Sequence, residues 1–183
     1  MTAAEHIGGW RRGRFAHTYA AIDLGTNNCR LLIARASATG FDVVDAFSRP
    51  VRLGEGIGDR ERLCEQAIDR TLDALEVCAA KIQRAGVTRS RHIATEACRR
   101  AANGADFLSA VRARVGLKLE IISAAEEARL ALASCQSLID PARPYALLVD
   151  IGGGSTEVVW VMVRARPDLP GGVELGIIDM VSI

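Results

Sequence analysis

Three short apolar runs bounded by turn-forming residues lie in the first part of the chain. They cover residues 19–23, 29–36 and 41–47 and predict three β-strands. The links between them are short, with Thr39-Gly40 as the second turn, and short links favour an antiparallel meander. The folded part of the chain is therefore expected to begin with a three-stranded sheet.

The middle of the chain changes to helical spacing. Apolar residues at 64, 68, 72, 75, 78, 79 and 82 form a stripe that predicts a helix over 62–84, ended by Gly86. Asn103 is predicted to cap a helix that runs to about residue 115. A further helix is predicted from 124 to about 138, where Asp140-Pro141 breaks it.

Further strands are predicted between and after these helices. Residues 92–95 and 118–122 are the first two, and the runs 146–149 and 157–163 enclose a glycine-rich turn. Residues 174–183 begin one more strand. A meander followed by alternating helices and strands predicts the α/β fold class.

Composition and charge mainly set limits. The chain has 183 residues, of which 49% are hydrophobic and 25% charged, which is ordinary for a globular protein. A net charge of +1 gives no global field for a specific nucleic-acid partner, so anion binding must come from local arrangement. Residues 1–17 are polar and contain three arginines near one another, and they are expected to form a disordered arm.

The cysteines point to a reducing compartment. Their number is odd and none has Cys-x-x-Cys spacing: Cys29, Cys64, Cys78, Cys98 and Cys135. They are expected to be buried free thiols rather than metal ligands or disulfides. No apolar run reaches transmembrane length and the N-terminus lacks the apolar core of a signal peptide. A cytoplasmic location with no membrane partner is expected.

Two turns carry the candidate chemistry. Residues 23–28 are Asp-Leu-Gly-Thr-Asn-Asn and residues 150–156 are Asp-Ile-Gly-Gly-Gly-Ser-Thr, each between two predicted strands. Such turns direct several backbone N–H groups at one spot and so bind anions. The acidic residue that opens each turn would repel phosphate unless a divalent cation lies between them. Together the turns predict a cleft that holds a phosphate chain from both sides.

Four segments between these turns complete a family pattern. They are VRLGEG at 51–56, ATEACR at 94–99, ANGADFL at 102–108 and IISAAEEARL at 121–130. With the two turns, they resemble the exopolyphosphatase/guanosine pentaphosphate phosphohydrolase family of the actin-like ATPase superfamily, over residues 19–160. The resemblance implies an actin-like, ribonuclease-H-like first lobe over 18–140. A second lobe would begin at 141–183 and be truncated.

The resemblance also implies a catalytic base. Ser123 and Glu126 fit a capping box, which gives Glu126 a structural role and makes Glu127 the second acid of the first helical turn. The family's base falls on the second Glu of the EEAR segment, here Glu127, which would accept a proton from the attacking water. From the sequence alone, a solvated first-turn acid is the alternative.

Phosphate and metal ligands follow from the same resemblance. Asp150 and Glu157, with Asp23 as the matching acid of the first turn, are expected to hold Mg²⁺. Arg30 and Arg99 are expected to bind phosphate through their guanidinium groups. The remaining expected phosphate-binding residues are Thr26, Asn27, Asn28, Gly152, Gly153, Gly154 and Ser155. The alternatives are a turn-forming Asp150, an exposed strand residue at Glu157 and a surface charge pair at Arg99–Arg100.

The implied function is release of terminal orthophosphate from inorganic polyphosphate or guanosine pentaphosphate, an activity linked to the stringent response. The alternatives are an ATP-dependent kinase of the same superfamily and a non-catalytic phosphate-binding fragment. The partners would be polyphosphate or a phosphorylated guanosine nucleotide. A homodimer through the uncovered second sheet is expected, and the truncated chain is expected to be inactive alone.

Overall fold

The computed structural model describes residues 17–38, 40–166, 168–169 and 172–183. The predicted arm lies outside these residues except for His17, whose Nδ1 is 3.1 Å from the Thr88 hydroxyl. The strands of the described part are β1 (Thr18–Leu24), β2 (Asn28–Ser37), β3 (Gly40–Pro50), β4 (Arg89–Ala94), β5 (Glu120–Ile121), β6 (Tyr145–Ile151), β7 (Thr156–Ala165) and β8 (Val173–Ser182). Its helices are α1 (Ile57–Arg60), α2 (Glu65–Arg84), α3 (Glu96–Arg100), α4 (Gly104–Val115) and α5 (Ala124–Cys135), the last continued by a 3₁₀ turn, Gln136–Leu138.

These elements form two compact units, the first ending at Ile121 and the second covering Ile122–Ile183. Helix α5 groups with the second unit, about twenty residues before the lobe boundary predicted at 140–141. The assignment of lobes to 18–140 and 141–183 stays a prediction.

The first unit is a five-stranded mixed sheet with the order β3-β2-β1-β4-β5. Strands β1, β2 and β3 form the predicted antiparallel meander, while β4 runs parallel to β1 and β5 parallel to β4. Alternate residues of β1 and β2, such as Ile22 and Ile33, are buried in a core with Leu75 of α2. The predicted α/β fold class is confirmed for this unit.

The second unit is a three-stranded antiparallel sheet with the order β6-β7-β8. One face carries Val159, Val161 and Val163, which pack with Ala128 and Leu132 of α5. The opposite face has no helix over it in the described part, and its large apolar side chains are exposed: Tyr145, Leu147, Val149 and Trp160. From Thr156 to Val163 of β7, buried residues alternate with more exposed ones, because a strand sends successive side chains to opposite faces.

Two local predictions need correction, and one short helix is not predicted by the sequence patterns. The segment after β4 forms this helix, α3, so Arg99 lies in a helix. Asn103 does not cap α4 with its side chain; its amide instead pairs with the backbone of Leu63, accepting from N–H at 2.8 Å and donating to the carbonyl at 3.0 Å. The regular part of α5 ends at Cys135, and the last predicted turn is 3₁₀.

All five cysteines are free thiols, as predicted. Cys29, Cys78 and Cys98 are buried, whereas Cys64 and Cys135 are partly exposed. Burial raises the pKa of the Cys98 thiol to about 12, which keeps it protonated and unreactive. Within the described residues, the helices are too short or too polar to span a bilayer.

Candidate functional site

The first turn connects β1 to β2 and is closed by a backbone hydrogen bond. Gly25 N–H donates to the Asn28 carbonyl at 2.9 Å, which makes a four-residue turn of Gly25 to Asn28. The backbone N–H groups of Thr26 and Asn27 have no hydrogen-bond partner among the described residues. Two adjacent donors are thus available for an acceptor such as a phosphate oxygen.

The carbonyl groups of the same turn are held by neighbouring backbone. The Asn27 carbonyl accepts from the N–H groups of Val51 and Arg52 at 2.8 and 3.0 Å, and the Thr26 carbonyl accepts from Gly54 at 3.0 Å. These contacts occupy the acceptors, which would repel an anion, and leave the donors available. The turn is therefore suited to an anion rather than a cation.

Charge at the first turn is balanced by an arginine. Asp23 and Arg30 are direct cross-strand partners in the β1–β2 ladder, and their side chains approach to 3.9 Å. The Arg30 side chain is 63% exposed, so its guanidinium can still reach a phosphate in solution. Asp23, which is expected to be a metal ligand, thus lies opposite the positively charged Arg30.

Arg99 lies at the same end of the first sheet as this turn. β1 and β4 are parallel and end side by side, with Leu24 opposite Ala94, and Thr95 N–H donates to the Leu24 carbonyl at 3.1 Å. Arg99 lies one helical turn after Thr95, and its guanidinium donates to Glu96 at 2.5 and 3.0 Å. Arg100 approaches the same carboxylate at 3.8 Å, so the two arginines share an acid.

The second turn repeats the closure of the first. Gly152 N–H donates to the Ser155 carbonyl at 2.9 Å across the hairpin between β6 and β7. In the described part of the chain the N–H groups of Gly153, Gly154 and Ser155 make no hydrogen bond. A Cβ on Gly152 would lie 3.0 Å from the Ser155 carbonyl oxygen, so this turn has little room for a side chain at its first position.

The strands beside the second turn bring two carboxylates together. Asp150 and Glu157 are direct cross-strand partners in the β6–β7 ladder. Glu157 is 1% exposed and accepts a hydrogen bond from Ser182 at 3.1 Å, while no Lys, Arg or His of the described residues pairs with either acid. The alternative of an exposed strand residue at Glu157 is therefore wrong.

This pair fits a hard divalent cation. Two like charges directly opposite on a sheet repel each other, and a buried carboxylate without a cation is costly. Mg²⁺ takes oxygen ligands and is commonly held by one or two carboxylates with waters and phosphate oxygens. No cluster of three or more potential metal-ligating side chains occurs in the described residues, so a cation held by Asp150 and Glu157 would take its other ligands from water or phosphate.

Glu127 belongs to the same unit as this pair. Ser123 caps α5 by accepting a hydrogen bond from Glu126 N–H at 3.2 Å, which confirms the predicted cap, and the Glu126 carboxylate also accepts from Arg129. Leu132, near the end of α5, lines a groove with the first residues of β6. The C-terminal part of α5 therefore lies beside the first residues of β6.

The supports of the first turn could not be found from the sequence patterns. The segment 51–56 contributes to the family resemblance, but nothing in its residue types indicates that it holds the turn carbonyls. The glycine at position 54 is the residue type that fits this contact. In the structure a Cβ there would lie 2.4 Å from the Thr26 methyl group, so a larger residue would not fit. The structure thus groups Asp23, Thr26, Asn27, Asn28, Arg30 and Arg99 in the first unit and Glu127, Asp150, Gly152, Gly153, Gly154, Ser155 and Glu157 in the second.

Comparison with known proteins identifies the family of this chain. The chain matches the Ppx/GppA phosphatase family over residues 32–180. The Aquifex aeolicus family member, known from a crystal structure, is 31% identical in sequence to this chain, and the TM-score is 0.73. The match covers 91% of this chain and 51% of the Aquifex chain. An exopolyphosphatase from Cytophaga hutchinsonii is 25% identical with a TM-score of 0.79, and the match covers 91% of this chain and 50% of that one. The chain spans about half the length of these solved relatives. It belongs to the Ppx/GppA phosphatase family, and through that family to the actin-like ATPase superfamily.

Proposed function

We propose that this chain carries phosphate-binding and water-activating residues of a phosphohydrolase that releases terminal orthophosphate from inorganic polyphosphate or guanosine pentaphosphate. The observation that carries the proposal is the pairing of Asp150 with buried Glu157 beside a turn with three N–H donors. A cation held there and phosphate held by the turn would be neighbours. Family membership supports the same chemistry, as does the similarity to the Cytophaga protein, which is an exopolyphosphatase.

The chain's residues divide the work. Asp150 and Glu157 would hold Mg²⁺, which when bound would neutralise charge on the phosphates. The N–H groups of each turn, and Arg30 beside the first turn, would bind phosphate oxygens. Arg99 would add a guanidinium if it exchanges its Glu96 contact for phosphate.

Glu127 would activate the water. Its carboxylate would accept a proton as the water oxygen attacks the terminal phosphorus and the bond to the bridging oxygen breaks. The position of Glu127 at the N-terminus of α5 suits this role, because the helix dipole favours the ionised carboxylate.

Adjacent glutamates on α5 allow a matched test. In an active form of the protein, Glu127→Gln should reduce phosphate release by about 10²–10⁴-fold, since the amide keeps the shape but cannot accept a proton. Tripolyphosphate affinity should stay nearly unchanged. Glu126→Gln is the control, because Glu126 is the neighbouring acid and serves the helix. Phosphate release is measured with malachite green, and an equal loss in both variants would refute Glu127 as the base.

The same assay separates the alternatives. A kinase would consume ATP only when a phosphoryl acceptor is present, whereas the proposed enzyme releases orthophosphate from polyphosphate in water alone. A non-catalytic fragment would bind tripolyphosphate without turnover. Comparing polyphosphate with guanosine pentaphosphate as substrates then decides between the two proposed substrates.

A homodimer is proposed for the second unit. Its support is the exposed apolar face of β6 and β7, where Leu147 is 57% and Trp160 is 50% exposed. Contiguous apolar surface of this kind marks interaction sites. Light scattering tests the proposal, and a monodisperse monomer at high concentration would refute it.

A further inference from the structure

Arg70 contacts the segment that holds the first turn. It lies on α2, and its Nε donates to the Val51 carbonyl at 3.1 Å. Its Nη2 donates to the Glu55 carboxylate at 2.6 Å and is 3.5 Å from the Arg52 carbonyl. One guanidinium thus bridges the beginning and the end of the segment 51–55.

That segment has a conformation that needs to be held. Arg52 adopts φ 46°, in the left-handed region that residues with a Cβ rarely occupy. Its N–H donates to the Asn27 carbonyl, and its own carbonyl accepts from Glu55 N–H at 3.1 Å. The strained residue is therefore one of the two, with Val51, that connect Arg70 to the turn.

The connection ends at the candidate phosphate donors. Val51 and Arg52 fix the Asn27 carbonyl, and Gly54 fixes the Thr26 carbonyl. Because a peptide unit is planar, a carbonyl held in one direction also fixes the N–H of the following residue. The Gly54 contact with the Thr26 carbonyl thus fixes the Asn27 N–H, and Gly54 lies within the segment whose two ends Arg70 holds.

We infer that Arg70 is a positioning residue for phosphate binding: it sets the anion affinity of the Gly25–Asn28 turn without touching the ligand. This inference rests on the proposed binding of phosphate by that turn. It is distinct from the direct phosphate contacts of Arg30 and Arg99, since the acceptors of Arg70 are all protein oxygens.

The test compares Arg70→Gln with Arg114→Gln in the full chain. Arg114 lies on α4 and also bonds acidic side chains of α2, Glu76 and Asp73, both at 2.8 Å, but it contacts no part of segment 51–55. Both variants thus lose one arginine that bonds acidic side chains. They differ in that only Arg70 contacts the segment that holds the turn. Arg70→Lys is the second variant, because it keeps the charge for Glu55 but lacks the Nε donor for Val51.

Two NMR measurements on ¹⁵N-labelled protein give separate answers. Hydrogen exchange of the Val51, Arg52 and Gly54 amides reports how firmly the segment holds the turn. Titration with tripolyphosphate, followed at the Thr26 and Asn27 amides, reports anion affinity. In Arg70→Gln we expect faster exchange at the three amides and an affinity lowered by about tenfold, the equivalent of about one hydrogen bond. For Arg70→Lys, both the exchange rates and the tripolyphosphate affinity should lie between those of this variant and the wild type.

The outcomes separate the two ideas. If the wild type binds no tripolyphosphate at Thr26 and Asn27, the proposed phosphate binding fails, while the exchange rates still show whether Arg70 holds the segment. If exchange is unchanged in Arg70→Gln, or if Arg114→Gln weakens tripolyphosphate binding equally, the positioning role is refuted. Urea unfolding of both variants identifies a merely global loss of stability.

Discussion

The β1–β2 and β6–β7 hairpins share a closure but differ in charge. Each is closed by a glycine N–H that donates over 2.9 Å to the carbonyl three residues on, and each places an aspartate two residues before that glycine. The cross-strand partner of Asp23 is the exposed Arg30, whereas that of Asp150 is the buried Glu157. The same type of turn is thus flanked by a neutral Asp–Arg pair in one hairpin and by a doubly acidic Asp–Glu pair in the other.

This difference assigns different ligands to the two hairpins. A balanced Asp–Arg pair beside free N–H donors favours an anion, and the arginine adds to the attraction. Two adjacent carboxylates need a cation before any phosphate can approach. The comparison therefore predicts that substitutions in the first hairpin change phosphate affinity, while those in the second change Mg²⁺ affinity.

The largest effect on ligand affinity in this comparison should come from removing these charges one at a time. Asp150→Asn and Glu157→Gln should each raise the Mg²⁺ concentration for half-saturation by about tenfold or more, since even outer-shell partners of a metal contribute that much. Arg30→Gln should leave Mg²⁺ affinity unchanged but weaken tripolyphosphate binding. Calorimetric titration with each ligand measures both affinities. The assignment fails if Asp150→Asn leaves Mg²⁺ affinity unaltered.

Much of this comparison could have been anticipated from the sequence. Once each turn is placed, residues equally far from its centre must be cross-strand partners, which pairs 23 with 30 and 150 with 157. The strands themselves followed from apolar runs between turn residues, and the Ser123 cap followed from its spacing to Glu126.

What escaped prediction depends on contacts distant in sequence. Glu157 is buried and lies on the same face of β7 as Val159 and Val161, which pack with α5, and no pattern within 157–163 reveals this. Helix α3 has only five residues, too few for a helical period to show. The contacts of Arg70 with Val51 and Glu55 join an exposed helix position to a loop, and residue type alone gives no sign of them.

A smaller effect should distinguish the turn glycines. A Cβ on Gly152 would lie 3.0 Å from a backbone oxygen, whereas a Cβ on Gly25 would meet its nearest atom, the Asn28 carbonyl oxygen, at 3.6 Å. Gly152→Ala should therefore lower the free energy of unfolding by about 1 kcal/mol, as slight overpacking does. Gly25→Ala should be neutral or stabilise by up to about 1 kcal/mol through the unfolded chain. Urea unfolding measures both, and equal changes would mean that the two turns are equally tight.

The smallest effect concerns pH and the first unit alone. His92 on β4 is buried, its Nδ1 has no hydrogen-bond partner in the described structure, and burial lowers the pKa of its imidazole below the ordinary value of 6.5. The unfolded chain therefore binds the proton more readily than the folded one, so stability is full above pH 6.5 and is lost as the pH falls below it. No histidine follows Ile121, so the β6–β7 hairpin should not share this dependence. Urea midpoints at pH 7.5 and 5.5 should differ more for the wild type than for His92→Leu, in which the titrating group is absent. Since only the change between the two pH values is compared, any effect of the leucine on packing cancels. Equal changes in the two proteins would mean that His92 is as easily protonated in the fold as in the unfolded chain.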